Sequence, residues 1–182
     1  MKFVDLVTID TQVFLLINHL PHNTLLNALS LGLSAIGTAG IIWLILGGIL
    51  FVHEETKDHR FFAPILLSAG ASWILVEKIL KPWVARSRPA LEIGAILVGD
   101  GRTDFSFPSG HATIAWALAV VLSRKEPRWK WMFYTLAVLI SLSRIYLGVH
   151  YPLDVAAGTL FGWGIGSLAL HLSLQKSQKK GV

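Results

Sequence analysis

Ser143-Arg144-Ile145-Tyr146-Leu147-Gly148-Val149-His150-Tyr151-Pro152-Leu153-Asp154 sets an arginine, a histidine and an aspartate between two apolar stretches. Ionisable groups there are costly unless they face a polar cavity or the membrane boundary. His150 and Asp154 are one helical turn apart, but Pro152 breaks a simple helix through both. The spacing predicts His150 just before a helix whose first turn carries Asp154, near enough for the carboxylate to accept one ring N–H. That would fix the tautomer and leave the other nitrogen free to attack an electrophile. Taken alone, the stretch also fits a pair of interfacial polar residues capping a helix.

Two further stretches carry complementary chemistry. Lys81-Pro82-Trp83-Val84-Ala85-Arg86-Ser87-Arg88-Pro89 closes one apolar segment, and Pro108-Ser109-Gly110-His111 opens the next. Displacement at a phosphate monoester spreads charge over the equatorial oxygens, so it needs positioned cations, a nucleophile and an acid for the leaving oxygen. Lys81, Arg88 and Arg144 can supply the cations, the arginines as forks that match phosphate oxygens. Ser109 and Gly110 open a helix, whose free N–H groups and dipole favour an anion. His111 shares that helix start and can protonate a departing alkoxide or phosphate. By itself Pro-Ser-Gly-His is an ordinary helix start.

Together the stretches read K-x6-R-P, P-S-G-H and S-R-x5-H-x3-D, in order and without departure. The chain resembles the type 2 phosphatidic acid phosphatase superfamily, which includes membrane lipid phosphatases, glucose-6-phosphatase and soluble vanadium haloperoxidases. The motifs cover residues 81–154, and the flanking apolar segments fit the membrane branch. The resemblance implies that His150 becomes a phosphohistidine, that Asp154 orients it and that His111 is the general acid. It implies that Lys81, Arg88, Ser109, Gly110 and Arg144 hold the phosphoryl group, with no metal and no cofactor. Substrates implied in the same way are polyprenyl pyrophosphate, phosphatidylglycerophosphate, phosphatidic acid or a lipid A phosphate. A phosphotransferase passing the phosphoryl group to an acceptor other than water is the alternative. A scaffold that only binds head groups is disfavoured by histidines at both chemical positions.

The elements that must position these residues follow from composition. The 182 residues suit one domain (1–182) and are 53% hydrophobic and 15% charged, with a mean hydropathy of +0.59. The apolar residues come in blocks, which predicts an all-α, polytopic membrane bundle of about six spans after an N-terminal amphipathic helix. The absence of cysteine excludes disulfides, Cys-ligated zinc and thiol catalysis. The net charge of +5 falls at segment ends and short loops. That pattern marks topology and phosphate binding rather than nucleic acid.

Residues 3–19 mix apolar residues with Asp5, Asp10, Gln12 and His19, and are expected to lie at the membrane surface. They lack the basic start and cleavage site of a signal peptide. A single helix over Leu25–Val52 would run about 42 Å against roughly 30 Å of hydrocarbon. Two crossings hinged at Gly37-Thr38-Ala39-Gly40 are preferred. His53–Arg60 reads as a solvated charged loop, not a metal site. Further spans are expected at Phe61–Val84, Ser109–Leu122, Trp129–Val149 and Asp154–Leu174, the last packed closely through Gly158, Gly162, Gly164 and Gly166. Residues 85–107, with Leu91, Ile93, Ile96, Leu97 and Val98, are expected to overhang the site. Alternating crossings put the three motifs on one face. The other face collects Lys57, Arg60, Arg124, Lys125, Arg128, Lys130, Lys176, Lys179 and Lys180, so it is expected to be cytoplasmic, with both termini. Arg86 and Arg102 count against that orientation. Glu77 is expected to pair with Lys78 or Lys81, Tyr151 and Trp83 to be interfacial, Asp100 and Asp104 to serve a turn, and His19 and His22 to lie on the surface.

Overall fold

A computed structural model describes residues 3–37, 43, 45, 48, 62–99 and 103–179. Every regular element among them is helical: α1 (Phe3–Asn18), α2 (Thr24–Gly37), α3 (Phe62–Val84), α4 (Gly110–Lys125), α5 (Lys130–Tyr146) and α6 (Pro152–Lys179). This is the expected all-α membrane bundle. The expected hinge at residues 37–40 and the charged loop at 53–60 lie outside the described residues, apart from Gly37. By length and composition α3 and the stretch Pro152–Ser173 of α6 can cross a membrane, at 23 and 22 residues. α4 and α5 have 16 and 17 residues, or about 24–26 Å at 1.5 Å per residue.

α4 is the centre of the bundle. From Ala112 to Ser123 every residue except Trp116 is buried, and α2, α3, α5 and α6 all pack on it. α6 lies closest, because its glycines at 158, 162 and 166 leave room for α4 backbone. A Cβ on Gly162 would fall 2.3 Å from the Thr113 carbonyl oxygen, and one on Gly166 would fall 2.4 Å from that of Ala117. Gly164, expected on the same seam, faces open space instead. Spacing explains this: 158, 162 and 166 are four apart and share one helix face, whereas 164 does not.

α1 departs from the expected surface helix. Asp10, Phe14 and Asn18, one turn apart each, are buried against the bundle, while Val7, Ile9, Val13 and Leu16 are exposed. The inward stripe mixes polar Asp10 and Asn18 with Phe14, while the outward face mixes apolar residues with Asp5, Thr8 and Gln12. Asn18 donates to the carbonyls of Ile96 (2.8 Å) and Tyr146 (2.9 Å) and accepts from the Ile96 N–H (2.7 Å). It thereby ties α1 to the segment over the site. That segment makes a short 3-10 turn at Leu91–Ile93, then pairs Val98 N–H with Leu147 O at 3.2 Å. Gly148 has a φ of 78° and lies so near Ile96 that a Cβ would fall 2.3 Å from its carbonyl oxygen. Only glycine suits that position. His22, expected on the surface, stacks on Tyr146 with ring centroids 4.5 Å apart and bonds Asn18 O and Asn27.

Candidate active site

The three motifs meet at one end of the bundle, where α3 and α5 end and α4 and α6 begin. Backbone bonds join them: Ser109 N–H donates to Asp154 O (3.0 Å), and Ser106 N–H to Arg86 O (2.8 Å). α3 approaches through a π-helical stretch, Ile74–Leu80, immediately before Pro82, which has no N–H to give the preceding turn. Glu77 lies on that wide turn and Lys81 just after it, so both point to the start of α4. A Cβ on Gly110 would meet Glu77 Oε1 at 3.1 Å.

His150 lies in the link between α5 and α6, 2% exposed. Its Nε2 is 3.2 Å from Arg88 Nη1. Arginine has no acceptor, so Nε2 receives this bond with its lone pair and the ring proton belongs on Nδ1. Nδ1 faces Asp154 Oδ2 at 3.5 Å. That is longer than an ordinary hydrogen bond, and among the described residues no nearer acceptor satisfies Nδ1. Catalytic bonds commonly tighten only with substrate bound. Burial is the main cause holding the His150 pKa at about 4, below the ordinary 6.5; the Arg88 and Arg144 charges add to it and Asp154 opposes it. At neutral pH the imidazole is therefore uncharged, with its lone pair toward Arg88.

A cavity of about 370 Å³ opens beside it, and its wall includes Lys81, Arg88, Gly110, His111 and His150, with Glu77. Gly37, Trp73, Val76 and Ile114 add apolar surface to the lining. Lys81 Nζ bonds Glu77 (2.8 Å) and Asp104 Oδ2 (2.5 Å). Arg88 Nη2 donates to Asp104 Oδ1 at 3.0 Å. Asp104, expected to serve a turn, instead bridges two of the expected phosphate ligands. Of the expected partners for Glu77, the structure selects Lys81, while Lys78 lies 5.0 Å over the Trp73 ring.

Two other expected ligands stand behind the wall. Ser109 is fully buried, caps α4 by accepting from Ala112 N–H at 3.5 Å, and does not line the cavity. Arg144 is also buried off the lining, with Nη1 on Ser34 Oγ of α2. Its influence on His150 is through charge.

The sequence reading missed two residues. Arg86 donates from Nη1 to Asp154 Oδ1 (2.7 Å) and from Nη2 to Asp10 Oδ2 (2.5 Å). Its guanidinium lies 4.1 Å from the Tyr151 ring centroid, so Tyr151 is part of this cluster and not only interfacial. Trp83, by contrast, is 80% exposed. The signal for Asp10 was its place in the stripe Asp10–Phe14–Asn18, whose two ends are polar.

Residues 62–178 match the model of the PAP2 superfamily. The chain belongs to that superfamily. It is 34% identical to an undecaprenyl-diphosphatase of Sulfolobus acidocaldarius over 94% of this chain and 82% of the relative. It is also similar to the crystal structure of Aquifex aeolicus LpxE, with a TM-score of 0.71, 31% identity and coverage of 88% of this chain and 93% of that one. A Bacillus subtilis structure described as a transmembrane PAP2 type phosphatidylglycerolphosphate phosphatase superposes with a TM-score of 0.73. It is 27% identical, with 94% of this chain and 87% of that one covered. The PAP2 relatives are lipid phosphatases, and this chain is a membrane enzyme of that class.

Proposed function

We propose that this PAP2 enzyme hydrolyses the phosphate monoester or pyrophosphate of a membrane lipid through a phosphohistidine on His150 Nε2. The observation that carries the reading is the Arg88–His150 contact, which turns an unprotonated Nε2 toward the wall that also bears Lys81, Gly110 and His111. In the first step Nε2 attacks phosphorus, the bond to the leaving oxygen breaks, and His111 gives that oxygen its proton. Lys81, Arg88 and the α4 N-terminus at Gly110 balance the equatorial oxygens. Asp154 stabilises the charge that grows on Nδ1–H. In the second step His111 takes a proton from water, the water oxygen attacks phosphorus, and inorganic phosphate leaves with His150 restored. Ser109 and Arg144 act from behind the wall, one by shaping the helix start and the other by its charge.

Names among the relatives favour polyprenyl pyrophosphate and phosphatidylglycerophosphate as substrates. With about six crossings and the basic loops inside, the site faces the extracytoplasmic side and both termini are cytoplasmic. Phosphoryl transfer to an acceptor other than water would use the same intermediate.

Purified protein should release phosphate from such lipids in excess EDTA and be inhibited by orthovanadate. His150→Ala should abolish turnover and remove a phosphoenzyme that survives alkali but not acid, as a phosphoramidate does. Substantial activity in His150→Ala refutes the nucleophile, and strict Mg²⁺ dependence refutes the metal-free mechanism.

A further inference from the structure

We infer that Asp10 and Arg86 form a positioning relay that sets the orientation and net charge of Asp154, and through it the reactivity of His150. The inference rests on the reading of His150 as nucleophile. Asp154 divides its two oxygens. Oδ2 faces His150 Nδ1 and accepts the Tyr151 N–H at 2.9 Å, while Oδ1 accepts from Arg86. The same guanidinium gives its other terminal nitrogen to Asp10. Asp10 Oδ1 closes the circuit by accepting the Leu153 N–H at 2.8 Å. One carboxylate from α1 thus grips both the arginine and the first turn of α6. Asp10 and Asp154 are 3% and 0% exposed, and neither Asp10 nor Arg86 lines the cavity.

Charge explains why two carboxylates share one arginine. An Arg86–Asp154 pair alone is neutral and offers little to a developing imidazolium. With Asp10 added, the cluster carries a net charge of −1 beside His150. In a buried site that charge acts over short distances with little screening. It favours the state in which His150 carries phosphorus on Nε2 and a proton on Nδ1. Asp10 touches no substrate, so its effect belongs in the chemical step and not in binding.

Asp10→Asn removes the charge and the bond from Arg86 together, because the amide oxygen can still accept from Leu153 N–H while the amide nitrogen cannot accept from the guanidinium. The full chain in detergent would be assayed with farnesyl pyrophosphate in mixed micelles, alongside orthovanadate inhibition and thermal unfolding. kcat should fall about 10- to 100-fold, by analogy with the losses on removing outer-shell partners of metal-bound histidines. KM and the vanadate inhibition constant should stay within about twofold, as for a loss confined to the transition state. Asp10→Glu should recover most of the loss. An unchanged kcat in folded Asp10→Asn, an equal worsening of KM and vanadate binding, or no rescue by glutamate would each overturn the relay. If Asp10→Asn yields no folded protein, Arg86→Lys carries the same prediction, since one ammonium lacks the fork that bridges both carboxylates. Wild-type kcat in Arg86→Lys would refute it. His150→Ala separates the two readings. If it is active, the nucleophile and the relay fail together; if it is inactive while Asp10→Asn is normal, only the relay fails.

Discussion

Alanine at Gly162 and at Gly164 should have opposite effects, although the substitution is the same and the sites are two residues apart. At Gly162 the new methyl would meet Thr113 O at 2.3 Å, Trp116 Cβ at 3.0 Å and Ala117 N at 3.1 Å. The nearest of these is backbone of the buried α4, which cannot rotate away. Restoring ordinary contact requires α4 and α6 to part locally by about 1 Å. Overpacking of that kind costs about 1–3 kcal/mol, offset by up to about 1 kcal/mol from the better helix former. At mid-range, a cost of about 2 kcal/mol less a gain of about 0.75 leaves a net loss of about 1 kcal/mol, and at roughly 2–4 °C per kcal/mol the Tm should drop by about 2–5 °C. At Gly164 no atom lies within 4 Å of the added carbon, so only the helix gain remains and Tm should hold or rise slightly. Thermal unfolding of both variants in one detergent decides the matter. Equal losses at the two positions, or none at Gly162, would refute the close α4–α6 seam as the source of stability.

Acid stability should report the burial of His150. Below the ordinary 6.5 the unfolded chain binds a proton there, while the folded chain, at about 4, does not. Stability is therefore lost as pH falls from about 6.5 to 4, by on the order of 3 kcal/mol, and a His150→Asn variant unfolded at pH 7 and pH 4.5 should lack that component. Asp104→Asn should tighten orthovanadate inhibition by up to about fivefold, because the carboxylate that competes for Lys81 and Arg88 is worth at most about 1 kcal/mol at a partly exposed site; weaker inhibition would mean that Asp104 helps to build the anion site. Gly94→Cys should react with an impermeant thiol reagent from outside and Arg128→Cys from inside, as the absence of native cysteine allows; the reverse pattern inverts the proposed topology.

The family and the all-helical bundle were legible because motif spacing and apolar blocks are local features. His150 preceding a helix whose first turn bears Asp154 followed from Pro152 alone. What sequence order concealed was long-range pairing. Asp10 meets Arg86 across 76 positions and Asp154 meets Arg86 across 68, and no local pattern selects those partners. For α1 the inward stripe was the less legible part: at 3.6 residues per turn Asp10, Phe14 and Asn18 share one face, and that face packs on the bundle. Ser109 caps α4 and Arg144 bonds Ser34 of α2, contacts that spacing along the chain does not reveal; their part in holding phosphate belongs to the proposed mechanism.

The arrangement of charge bears on substrate choice. Asp10 and Asp154 form a buried inner tier, whereas Glu77 and Asp104 are 31% and 34% exposed at their side chains, and both bond Lys81. The outer carboxylates can leave; the inner ones cannot without stranding Arg86. Asp104 bridges Lys81 and Arg88 much as two oxygens of a phosphoryl group would. On the proposed mechanism a substrate competes with a carboxylate of single charge, which a phosphate with nearly two charges can displace and a neutral head group cannot. Such displacement rejects ligands that merely carry an acid. The cavity is about 370 Å³, near the lower end for ligand sites, and its lining includes Gly37, Val76 and Ile114. In the segment after Arg88, Leu91, Ile93, Ile96 and Leu97 expose apolar side chains suited to an acyl or prenyl tail. The proposed compact phosphate or pyrophosphate on an acyl or prenyl tail is consistent with both conditions.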